Sequence, residues 1–198
     1  THTEAVVHRD GGKYMQSYEK GKKKGAVKKV GTSKEHGTII TFTPDPEIFK
    51  EGTKFDLNTV VNHLRQQAYL VKKLRIVVVD AREMPSDVIA KKINFDDVIY
   101  LSELKLNVPS TTFYFEGGLV SLVKDYTRLQ KSVTDKIFYV EKEQDGVGVE
   151  IALKYVDDIS DKIIPFANNI YNPEGGTHVT GFKTALTRLL NNYTKKNN

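Results

Sequence analysis

Hydrophobic and polar positions along this chain alternate with two different periods, and the changes of period mark its elements. Ala5-Val6-Val7-His8-Arg9 reads as a strand. Asp10-Gly11-Gly12 is a turn signal, and Lys13 to Glu19 reads as the return strand. Gly37-Thr38-Ile39-Ile40-Thr41-Phe42 is a third strand, rich in β-branched and aromatic residues. It stops at Thr43-Pro44-Asp45-Pro46, because proline supplies no amide donor to a ladder. These three strands are expected to form an antiparallel meander. Leu57, Val60, Val61, Leu64, Ala68 and Val71 then recur at i, i+3, i+4, i+7, which predicts an amphipathic helix capped by Asp56 or Asn58. Residues 74–80 read as a buried strand.

The second half repeats the mixture. Phe113 to Phe115 is a strand ended by Glu116-Gly117-Gly118, and Leu119, Leu122, Val123 and Tyr126 share one helical face. Ile137 to Val140 and Val147 to Tyr155 are strands around the turn Gln144-Asp145-Gly146, and Lys162 to Ala167 is expected to be another. A Gly175-Gly176 turn opens into a last helix, with Thr177 where an N-cap is expected. On that helix Phe182, Ala185, Leu186, Leu189, Leu190 and Tyr193 form an apolar stripe expected to pack, while Lys183, Arg188, Asn191 and Asn192 fall largely off it. Strands and helices intermixed in this way predict an α+β fold.

Composition narrows the chemistry. The chain has 198 residues, of which 39% are hydrophobic and 28% charged, an ordinary balance for a globular protein. It has no cysteine, which excludes disulfides, thiol catalysis and cysteine metal sites. No apolar run is long enough to span a membrane, and the absence of cysteine suits a cytoplasmic protein. The first residue is threonine, with no signal-peptide pattern after it, so the chain reads as a piece of a longer protein. The net charge of +5 is compatible with a nucleic-acid partner. The lysines of residues 21–29 read as a solvated connection, with phosphate contact as the alternative.

The five histidines show no metal-ligand spacing, and no nucleophile elbow or complete phosphate loop is present. Between Met84 and Ser110, Asp87, Asp96, Asp97 and Glu103 are interspersed with Ile93, Phe95, Val98, Ile99, Tyr100 and Leu101. That stretch matches no hard-metal loop and reads as a surface-packed insertion.

Longer runs point to a family. Asn168-Asn169-Ile170, Glu174-Gly175-Gly176-Thr177-His178, Gly181-Phe182-Lys183 and Ala185-Leu186-Thr187-Arg188 together resemble the start of the transducer of bacterial type IIA DNA topoisomerase ATPase subunits, the gyrase B and topoisomerase IV kind. Arg9-Asp10-Gly11, Gly31, Gly37-Thr38, Phe42, Pro44-Asp45 and Phe49 resemble the end of the same family's ATPase domain. The helix run from Leu64 to Leu70, the Phe115-Glu116-Gly117-Gly118 run and the hairpin around Asp145-Gly146 are similar too. Residues 84–110 depart from the family pattern.

The resemblance implies the C-terminal part of a GHKL-type ATPase domain over residues 1–118, with 84–110 inserted. It implies the start of a ribosomal S5 domain 2-like transducer over 119–198. By the same resemblance Thr38, beside Gly37, lies at the floor of the nucleotide site, where its hydroxyl helps hold, partly through water, the aspartate that reads adenine. Arg9 stands near the pocket mouth, although a strand-end surface arginine reads equally well. Lys183, and more weakly Arg188, face double-stranded DNA. The family's catalytic glutamate, magnesium-binding asparagine, adenine-reading aspartate and γ-phosphate lysine match no position here, so no catalytic or metal residue is assigned. The implied cofactors are ATP and Mg2+. The implied partners are DNA, a DNA-cleaving gyrase A-type subunit in an A2B2 heterotetramer, and a second copy on ATP-dependent dimerisation, with no membrane. A non-enzymatic basic nucleic-acid-binding α+β module is the reading from another class.

Overall fold

The computed structural model describes residues 2–94, 96–101, 104 and 106–197. Phe95 and Glu103, counted above among the apolar and acidic residues of the 84–110 stretch, lie outside them. The chain forms two compact units, Thr1–Leu64 with Ile76–Phe113, and Arg65–Arg75 with Tyr114–Asn198.

The first unit is built on a five-stranded sheet. β1 (His2–Arg9) and β2 (Gly12–Glu19) form a hairpin across Asp10-Gly11, whose φ angles of 51° and 74° are those of a two-residue turn matching the strands' twist. β3 (Lys22–Lys23) and β4 (Lys28–Thr32) both pair with the outer edge of β2. β5 (Gly37–Phe42) pairs with β1, from His8↔Gly37 to Thr3↔Phe42.

This corrects the expected meander. Two pieces of the lysine-rich stretch read as a connection are strands, and they occupy the edge of β2 that β5 would have needed. β1 is therefore central, with β2 on one side and β5 on the other. After Phe42 the ladder runs one bond further, Thr43 N–H to the His2 carbonyl at 2.9 Å, and ends where Pro44 has no donor.

α1 (Leu57–Leu70) is capped by Asp56, whose Oδ2 accepts from the Thr59 amide at 2.9 Å. Hydrogen bonds from Thr59 hold the Asp56 carboxyl below its ordinary value. β6 (Arg75–Val79) and β7 (Ser110–Tyr114) pair, and α2 (Ser86–Lys92) stands between them in the chain.

The second unit centres on the last turns of α1, where Ala68 and Tyr69 are buried. The Tyr69 ring stacks on Phe115, with centroids 3.7 Å apart and planes 12° from parallel. α3 (Leu119–Tyr126) buries Leu122 in the same unit. Gly118 precedes α3 at φ 54°, and a Cβ there would lie 2.7 Å from Cγ of Lys72. Only glycine satisfies both the backbone and the space.

β8 (Phe138–Gln144) and β9 (Val147–Leu153) make a hairpin across Asp145-Gly146. Its apolar alternation is half-buried only at Ile151 and Leu153, since Val147 and Val149 near the tip are exposed. The strand expected over 162–167 shrinks to β10 (Phe166–Ala167), paired with β11 (Ile170–Tyr171). Pro165 lacks an amide to extend it.

α4 (Thr177–Asn197) follows. Its first bonds, from the Val179 and Thr180 amides at 3.1 Å, go to the Gly176 carbonyl, so Gly176 and not Thr177 takes the N-cap position. The expected packing of the α4 stripe is not met among the described residues: no α4 residue is buried, and Leu189 and Tyr193 are 65% and 67% exposed. Periodicity sets which face is apolar; it does not supply a partner for that face.

Lys72, just beyond α1, is the electrostatic knot of this unit. Its ammonium donates to the Tyr139 hydroxyl and to Glu141 at 2.8 Å, lies 3.3 Å from Glu150, and sits 4.6 Å from the Tyr139 ring centre. Glu141 and Tyr139 raise the Lys72 pKa, and hydrogen bonds from Lys72 and Tyr139 hold the Glu141 carboxyl low. Burial, then Glu141, pushes the Tyr139 phenol up to about 12.

A lowered folded-state carboxyl contributes stability that is present above its unfolded value and lost as pH falls through its folded one. Lys72→Met is therefore expected to flatten the loss of stability below about pH 4.5. Urea titrations at neutral and acid pH, wild type against variant, check this; an unchanged acid limb refutes it.

Candidate nucleotide floor and basic helix

Pairing register decides what the first unit presents. Side chains alternate across a sheet, and directly paired residues share a face. Val7 pairs with Thr38 and Ala5 with Ile40, so Ala5, Val7, Arg9, Thr38, Ile40 and Phe42 lie on one face of the β1–β5 pair. That face is open, with Thr38 exposed, Ile40 58% and Phe42 55% exposed. The other face carries Val6 and His8, at 1% and 2% exposure, together with Gly37 and Ile39.

Of the three expected pocket residues, the structure thus brings Arg9 and Thr38 to one face. Gly37 is directed to the other, where, among the described residues, a Cβ would meet Val98 at 3.9 Å. Arg9 ends β1 and is held by its neighbour, with Nε 3.2 Å from Asp10 Oδ2. Both groups are solvated, so the pair orients the guanidinium without removing its charge from reach. A largely apolar floor with the hydroxyls of Thr3 and Thr38 and a cation at its end has the chemistry to seat a planar base and attract phosphate.

In the second unit the basic positions of α4 line a shallow trough of about 550 Å³, formed by Lys183, Thr184, Thr187, Arg188, Asn191, Asn192 and Lys195. Lys183 and Arg188 are therefore on one side of the helix, as expected. Lys183 Nζ lies 3.8 Å from Asp161 Oδ2, an exposed pair that solvent screens. Lys195 was not singled out in the sequence, although it follows Lys183, Thr187 and Asn191 at steps of four. That spacing was the available signal. Its lining residues carry hydroxyls, amides and three cations, against the one carboxylate of Asp161 beside Lys183, an excess that suits phosphate. Among the described residues no group of three His, Asp or Glu side chains comes together to hold a metal ion, and no helix is long and apolar enough to cross a membrane.

Comparison with known proteins places the chain. The DNA gyrase B family model matches residues 118–198. Over its whole length the chain is 35% identical to the DNA gyrase B protein of Bacillus mycoides, covering 43% of that protein. Over 98% of its length it is 41% identical to the DNA gyrase B protein of Thermotoga maritima, covering 28% of that protein. Along its whole length the chain is similar to DNA gyrase B proteins, and from Gly118 onward it matches their family model. It spans between about a quarter and half the length of these relatives.

The 43K ATPase domain of Thermus thermophilus gyrase B, solved in complex with an aminocoumarin, superposes with a TM-score of 0.75 at 28% identity, over 98% of this chain and 47% of that one. The gyrase B protein of Myxococcus xanthus shares the fold, with a TM-score of 0.69 at 20% identity over 93% of this chain and 48% of that one. The α+β class is that of gyrase B ATPase-region structures, and the resemblance read from the Gly-Gly-Thr-His and Gly-Thr runs is borne out at the level of the family.

Proposed function

We propose that this chain belongs to the ATPase subunit of a type IIA DNA topoisomerase of the gyrase kind, in which ATP binding and hydrolysis drive strand passage and negative supercoiling. The carrying observation is the superposition of 98% of the chain on a gyrase B ATPase domain. The open face holding Arg9 and Thr38 supports a nucleotide reading in detail. Thr38 is a hydrogen-bonding group of the floor, Val7 and Ile40 are apolar surface on either side of it, and Arg9 is a cation at the end of the same face. ATP fits that set. Mg2+ does not, since the described residues offer it no ligand cluster, and its coordination is not assigned to this chain.

The proposed division is an ATPase part over 1–118, with 84–110 inserted, and a transducer part over 119–198. The family match beginning at Gly118 supports it. Lys183, with Arg188 and Lys195 along the same trough, is proposed to face DNA phosphates. The assembly proposed is cytoplasmic, with double-stranded DNA, an A-type DNA-cleaving subunit in an A2B2 heterotetramer, and ATP-dependent dimerisation.

The test uses the full-length protein with its cognate A-type subunit on relaxed circular DNA. ATP-dependent negative supercoiling is the expected result. Decatenation and relaxation without supercoiling would assign a topoisomerase IV-type role instead. Nucleotide-independent DNA binding with neither activity would overturn the proposal in favour of a simple binding module.

A further inference from the structure

Residues 84–110 carry no role in the proposed reaction, yet part of this stretch is fastened to the back of the nucleotide floor. His8 is 2% exposed and lies on the face opposite Thr38 and Arg9. Its Nε2 is 3.1 Å from the Asp96 carbonyl and its Nδ1 2.7 Å from Ser33 Oγ. A carbonyl only accepts, so Nε2 carries a proton and donates to it, while Nδ1 pairs with the Ser33 hydroxyl. Ser33 Oγ is itself fixed by the Glu35 amide at 3.1 Å.

Lys13 pairs directly with His8 across the hairpin and donates to Asp97 Oδ1 at 2.8 Å. Its side chain is only 16% exposed, while that of Asp97 is 57% exposed, so the lysine end of the pair is shielded and the carboxylate end faces solvent. Val98 stands behind Gly37, and the Tyr100 hydroxyl donates to Glu35 at 2.9 Å. Asp96, Asp97, Val98 and Tyr100 thus meet four features of one sheet end, and His8 and Gly37 are the sequence neighbours of Arg9 and Thr38.

We infer that residues 96–100 form a back plate that positions Arg9 and Thr38 for a purine nucleoside triphosphate, with Lys13 and Asp97 as the positioning pair. This rests on the nucleotide reading proposed above. The physical link is short. If the plate lifts, the buried His8 N–H loses its acceptor, and the β1–β5 end must move to rehydrate it. Arg9 is the last residue of β1 and Thr38 the second of β5, so that movement displaces both. The pair touches no ligand. Its loss lowers the occupancy of the competent geometry and leaves the chemical step alone, which separates KM from kcat.

The experiment uses the full-length protein, its cognate A-type subunit, and the non-hydrolysed analogue AMPPNP as probe. Lys13→Met and Asp97→Asn are each expected to weaken AMPPNP binding about three- to tenfold, an ordinary coupling for residues in direct contact. KM for ATP should rise with kcat unchanged, and the unfolding temperature without nucleotide should stay near that of wild type. The charge swap Lys13→Asp with Asp97→Lys is expected to recover most of the lost affinity. That recovery is the readout a bare packing role would not give.

Variants that bind AMPPNP as wild type does, or a swap that is no better than the single variants, overturn the back plate. A wild-type protein that binds no AMPPNP is a distinct failure, and it overturns the nucleotide reading itself.

Discussion

Tyr69→Ala is expected to destabilise the second unit by about 3–5 kcal/mol, the range for removing a buried aromatic side chain. Tyr69 is 5% exposed and its ring lies flat on Phe115. Stacked pairs add about 0.5–1.5 kcal/mol beyond the buried area. Burial, and next the Asp125 carboxylate, raise the phenol's pKa, so the hydroxyl stays protonated and able to donate to Asp125. Tyr69→Phe separates the two contributions: it keeps the stack and is expected to lose only about 1 kcal/mol for the hydrogen bond. Amide exchange in the last turn of α1 and in α3 reads the effect locally. Protection in Tyr69→Ala equal to wild type would remove Tyr69 from the core.

Lys183→Ala combined with Arg188→Ala is expected to weaken DNA capture by the full-length protein on the order of tenfold per charge at 0.1 M salt. The slope of log K against log salt should shrink by about two units, and the loss should be uniform across DNA sequences, because phosphate contacts carry no base information. Lys183 is the more instructive single variant. A lysine presents a point charge and not a planar fork, so Lys183→Arg should bind DNA at least as well as wild type. DNA binding measured across a salt series decides the matter. An unchanged slope in the double variant would show that the α4 trough faces something other than phosphate.

Much of the architecture was legible in residue patterns, for definite reasons. The hairpin at Asp10-Gly11 and that at Asp145-Gly146 are local events, since a two-residue turn with positive φ selects its own residues. The Asp56 cap and the start of α1 follow from a side chain reaching an amide three residues on. The stop at Pro44 follows from a missing donor. The family itself was carried by long, unusual runs such as Glu174-Gly175-Gly176-Thr177-His178, which need no structure to be read.

What escaped the sequence was non-local. Periodicity places Thr38 on one side of its strand, but only the β1–β5 register shows that Arg9 shares that side while Gly37 turns to the other. The lysines of 22–23 and 28–29 look like a solvated connection, because strand pairing at a sheet edge needs no apolar pattern; the partner strand's backbone supplies it. The Lys72 knot joins residues 67, 69 and 78 positions apart, and the His8 contact with Asp96 spans 88. No window along the chain contains such pairs. Sequence alone determined the turns at Asp10-Gly11 and Asp145-Gly146, the start and cap of α1, and the resemblance to gyrase B proteins, because those depend on residues within a few positions of one another. Tertiary structure alone decided which faces are open, which charges meet, and what lies behind the face that carries Arg9 and Thr38, because those depend on chain closure that no local preference encodes.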